Sequence, residues 1–88
     1  MTDATEEKSE LEKARDIISQ LKEMNHYARS NMEKLGEFWL LHDGELKQKE
    51  KAEKLDGLLK HQGAFNDALE AFIEEYELEC NRIENEAS

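Results

Sequence analysis

The 88-residue chain contains no proline and one cysteine, Cys80. Without proline, nothing in the chain breaks a helix by removing a backbone donor. A lone thiol excludes an internal disulfide and fits a reducing compartment. β-Branched residues are few and aromatics reach only 7%. With 39% charged and 38% hydrophobic residues, this composition suits long helices rather than a sheet. No apolar run approaches the ~20 residues of a membrane span. The N-terminal MTDATEEKSE lacks the basic start and apolar centre of a signal peptide. A soluble, cytoplasmic protein is expected.

Basic residues are outnumbered, with 12 Lys and Arg against 22 Asp and Glu and a net charge of -10. That balance disfavours direct binding to nucleic-acid phosphates and to anionic membranes. Motifs that carry chemistry are also missing. There is no HExxH, no Cys-x-x-Cys, no glycine-rich phosphate loop and no nucleophile elbow. Of His26, His42 and His61, only His26 and His61 with Glu23 suggest a metal set, and convergent sites need more ligands. Cys80 lies among Glu77, Glu79 and Glu84 with no histidine nearby to activate it, so it reads as a small buried apolar group. Glu74 and Glu75 have no pocket to separate their titrations. No catalytic, cofactor-binding or metal-binding residue is assigned. No cofactor is expected, and the chain does not read as an enzyme.

What the sequence does have is periodicity. Leu11, Ala14, Ile18, Leu21, Asn25, Ala28, Met32, Leu35 and Trp39 form an unbroken 3-4 alternation, the apolar seam of a helix built to pack along another. Asp3 with Glu6, or Ser9 with Glu12, offers a capping pair, and the helix is placed at about 5–41. His42, Asp43 and Gly44 supply a break, with Gly44 suited to end one helix and Asp43 to cap the next. A second seam follows at Leu55, Leu58, Gln62, Phe65, Leu69, Phe72, Tyr76, Glu79 and Ile83. It keeps phase through Gly57 and Gly63, which favours one helix at about 45–85, bent near Gly63, with a break there as the alternative.

The expected fold is all-α: residues 1–88 as one domain, an antiparallel hairpin of two long helices joined at 42–44. With the turn between Asp43 and Gly44, Asn25 falls opposite Gln62, Ala14 near Phe72 and Ile73, and Ala28 near Leu58 and Leu59, so that amide meets amide and small meets large. Both stripes are wider than one partner requires. Ile17, Met24 and Phe38 widen the first, and Leu59, Ile73 and Cys80 the second. A second copy completing a four-helix bundle would cover them.

Charge is uneven along the chain. Residues 1–44 carry -4, residues 45–63 carry +1 and residues 64–88 carry -7. The expected function is therefore a small acidic interaction module of adaptor, chaperone or scaffold type, acting through homodimerisation and helix packing with a further protein as partner. Its candidate contacts are Ile17, Met24, Phe38, Trp39, Leu59 and Ile73, Trp39 because Trp is enriched at interface centres. The alternative is an acidic inhibitor of the phage or mobile-element type that mimics nucleic acid and blocks a basic DNA- or RNA-binding protein.

Overall fold

The computed structural model describes residues 3–87, with side chains for 10–86. Helix α1 spans Asp3–Leu40, and helix α2 spans Lys49–Ala87. They pack antiparallel into a rod of 65 × 16 × 14 Å. No strand occurs among the described residues. The capping pairs Asp3–Glu6 and Ser9–Glu12 involve side chains outside those described.

All nine seam positions of α1 face α2. Ile18 and Ala28 are buried, and the other seven are partly buried. The inner face of α2 differs from the expected seam at every second position. Leu55, Gln62, Leu69 and Tyr76 point inward, but between them come Leu59, Asn66, Ile73 and Cys80. Leu58, Phe65 and Phe72 are about half exposed instead, and Ile83 is 38% exposed. The seam also reaches further upstream, to buried Ala52. The physical reason is a rotation of α2 about its own axis. The expected phase would press the Glu79 carboxylate into an apolar seam, whereas the observed one buries Cys80 there, 1% exposed. Ile18, Leu69, Ile73 and Cys80 form the central cluster, with Leu11, Ala14, Leu21 and Tyr76 packed around it.

The connection corrects the expected turn at 42–44. The chain does not stop at Gly44. It widens into a π-helical turn over Leu41–Glu45, closed by the Leu46 amide donating to the Leu41 carbonyl at 2.9 Å. The reversal comes next: the Gln48 amide donates to the His42 carbonyl at 2.7 Å, and the Ala52 amide donates to Gln48 at 3.0 Å as α2 begins. No glycine has a positive φ among the described residues; Lys47 takes that conformation, at φ 53°. The expected facing pairs shift accordingly. The Gln62 amide donates to the Asn66 side chain at 2.8 Å, and Asn66 donates to the Ala28 carbonyl at 3.4 Å. Gln62 does not meet Asn25. Helix α2 is continuous through Gly63.

Two substitutions separate these placements of the turn. A Cβ at Gly44 would meet nothing within 4 Å, so Gly44→Ala should raise stability by about 0.5–1 kcal/mol, the helical cost of glycine. Lys47→Gly should stabilise by about 1 kcal/mol by relieving left-handed backbone. Thermal or urea unfolding measures both; a destabilised Gly44→Ala would return the helix end to Gly44.

Candidate interaction surface

With Leu11 and Ala52 each set as heptad position a, the two helices of the hairpin present flanks of opposite character. On one flank the e positions of α1 meet those of α2. Arg15 pairs with Glu84 at 2.6 Å, Lys22 with Glu77 at 2.6 Å, and Arg29 with Glu70. Each step advances one heptad along α1 and retreats one along α2, as antiparallel pairing requires. These pairs centre the hairpin beyond Lys47. The next step of the same register brings Gly36 to the level of Gly63, where the row ends without side chains. A Cβ at Gly63 would touch the Met32 methyl at 3.5 Å, and one at Gly36 would touch nothing.

Arg29 holds the Glu70 carboxyl below its ordinary titration range by hydrogen bond and charge, and the Asn25 amide adds a smaller hydrogen bond. The Asn25 carbonyl oxygen is buried without a partner among the described residues. It lies beside a shallow hollow of about 250 Å³ lined by Lys22, Asn25, Glu70, Ile73, Glu74 and Glu77.

The opposite flank carries the g positions and is apolar over most of its length. Ile17, Met24 and Phe38 from α1 are 45%, 49% and 47% exposed, and Leu58, Phe65 and Phe72 from α2 are 54%, 49% and 49% exposed. The Phe72 and Tyr76 rings lie 5.5 Å apart and continue the stripe into a cleft at the open end of the hairpin. That cleft has a volume of about 550 Å³. Its floor is Leu11, Ala14, Tyr76, Cys80 and Ile83, and its rim is Glu10, Glu79, Arg82 and Glu86.

The sequence-derived contact residues therefore divide. Ile17, Met24 and Phe38 stand on the exposed apolar flank. Ile73 is buried between the helices at 6% exposure, and Leu59 and Trp39 are partly buried on the inner face. Leu58, Phe65 and Phe72 take their place at the surface. Their heptad spacing marks them as one row, but the row is recognisable as a flank only once the rotation of α2 is known. The histidines are dispersed. The His42 ring donates to the Phe38 carbonyl at 2.7 Å, the His61 ring donates to the Gly57 carbonyl at 2.9 Å, and His26 packs edge-on to Tyr27. No cluster of three His, Cys, Asp or Glu side chains suited to a metal occurs among the described residues. Among the described residues, no helix is long and apolar enough to cross a membrane.

Fold and surface together define an antiparallel helical hairpin with one ion-paired flank and one uncovered apolar flank. No protein-family model matches the chain, and comparisons with curated proteins and with solved structures return no match.

Two expectations follow from the ion-paired flank. A glutamate whose titration is lowered by folding contributes stability at neutral pH, and that contribution is lost as pH falls through its lowered range. Glu70→Gln should therefore be less stable than the parent at pH 7, and the difference should shrink below the ordinary glutamate range and vanish once pH falls below the lowered range of Glu70; chemical denaturation at a series of pH values measures it. Asn25→Leu replaces an unpartnered buried oxygen with apolar contact and removes the amide's smaller hydrogen bond to Glu70; with that carboxylate still held by Arg29, the apolar gain should dominate and stabilise the hairpin by about 1 kcal/mol. A loss of stability on denaturant titration would show that the oxygen is satisfied in solution.

Proposed function

We propose that this chain is a small, non-catalytic, cytoplasmic helical interaction module that self-associates through its apolar flank into a four-helix bundle and presents its outer faces to a further protein. The observation that carries this reading is the row of large half-exposed side chains on one flank, Ile17, Met24 and Phe38, broken only by Asn31 on α1, beside Leu58, Phe65 and Phe72 on α2. Monomeric proteins rarely leave so extended an apolar surface in water, and a helix with a wide apolar face is suited to more than one neighbour. The nucleic-acid-mimic reading has less support. Three carboxylates of the acidic segment 64–88, Glu70, Glu77 and Glu84, are engaged by cations of α1 and would reach a basic partner already neutralised.

Light scattering across concentration tests the reading. The wild type should run as a dimer of twice 10.3 kDa. Phe65→Glu and Phe72→Glu should each give a monomer with unchanged helix content, because both side chains stand outside the hairpin seam. A wild-type chain that stays monomeric up to about 1 mM, where association is weaker than roughly -4 kcal/mol, would overturn self-association.

A further inference from the structure

We infer that two hairpins pack through the apolar flank antiparallel about a twofold axis, the turn end of each seated on the open-end cleft of the other. This rests on the self-association proposed above and adds its polarity and its contacts. The occupant of the flank is then a second copy of this chain, and three features of the surface point to it.

The first is where the charge lies. In a chain of net charge -10, the apolar flank and its border are close to neutral. Toward the turn they carry Lys34, Lys51 and Lys54, all exposed. Toward the open end they carry Glu10, Glu75 and Glu79 against Lys13, all exposed, while Arg82 is paired with Glu86 at 2.8 Å, so that end is net acidic. Two copies stacked in parallel would set lysines on lysines and carboxylates on carboxylates. Turned end for end, each basic turn region lies over an acidic open end, and the twofold axis makes that favourable contact twice.

The second is shape and polarity at the two ends. The open-end cleft has an apolar floor and a carboxylate rim. The turn end carries exposed Phe38, Leu41 and Leu46, with Lys34, Lys51 and Lys54 on the flank beside them and Asp43 and Glu45 on the turn itself. Both open onto the same flank, so one copy supplies the projection and the other the recess. Met24, Phe65 and Phe72, at the middle of the stripe beside Asn31, then lie near the axis.

The third is area. A face of 65 × 16 Å offers on the order of 1,000 Å² per chain, above the ~800 Å² per partner of a standard stable interface.

Charge reversal tests the arrangement. One variant carries Lys51→Glu and Lys54→Glu, a second Glu75→Lys and Glu79→Lys, and a third all four changes. Every site is exposed, so helix content by circular dichroism should be unaltered in each. The dimer dissociation constant is measured by sedimentation at low salt. Each double variant should dimerise at least about 100-fold more weakly, since facing like charges replace facing opposite ones at both ends. The fourfold variant should return to within about tenfold of the wild type, because the swap restores complementarity. A dimeric wild type with unaffected double variants, or a fourfold variant that fails to recover, overturns the antiparallel packing and leaves self-association standing. A wild type that never dimerises removes both.

Discussion

A carboxylate placed in the seam between two helices loses its water and needs a partner in exchange. Helix α2 carries acidic side chains at heptad intervals in two series, Glu70, Glu77 and Glu84 in one and Glu79 with Glu86 in the other. Only certain rotations of the helix keep both series at its edges. The observed rotation sets the first beside Arg15, Lys22 and Arg29 and sends the second to the opposite flank. Each exposed pair adds little to stability. What the row supplies is discrimination between rotations that are otherwise similar in apolar content. Everything else on the molecule, from the burial of Cys80 to the exposure of Phe65 and Phe72, follows from that choice.

This constraint also explains how much of the fold was legible in the residues. The nine positions of the α1 seam read correctly from spacing alone: Arg15, Lys22 and Arg29 bound it on one side, and the apolar residues on the other, Ile17, Met24 and Phe38, are broken by Asn31. The α2 seam admits two phases that share Leu55, Gln62, Leu69 and Tyr76. Hydrophobicity favours the phase with Leu58, Phe65 and Phe72. The packing adopts the one with Leu59, Asn66, Ile73 and Cys80, since the deciding contacts lie across to another helix. A pattern read along one helix contains no information about those contacts. The spacing of Arg15, Lys22 and Arg29 was visible throughout, but it acquires meaning only beside Glu84, Glu77 and Glu70. The turn was misplaced for a related reason. Gly44 is the stronger local signal for a helix end, yet the π-helical winding of Leu41–Glu45 carries the chain past it, and Lys47 absorbs the left-handed backbone.

The candidate surface was legible to the same degree as the helix that supplies it. From α1 came Ile17, Met24 and Phe38, which stand outside the seam, and Trp39, which is partly buried within it. From α2 came Leu59 and Ile73, which the rotation turns inward. A thin two-helix rod has a core only one side chain deep, so a single-residue change of phase exchanges core for surface. In a larger domain, several layers of packing would have damped the same error.

The row of ion pairs stops where Gly36 comes level with Gly63. A two-helix rod resists bending through the side chains that cross-brace its flanks, as struts brace a ladder. At this one level that flank has backbone and no strut. The flank is therefore uneven: charged side chains tie the two helices from Arg15 to Arg29, on the half bearing the open-end cleft, and just before the turn the same flank is bare.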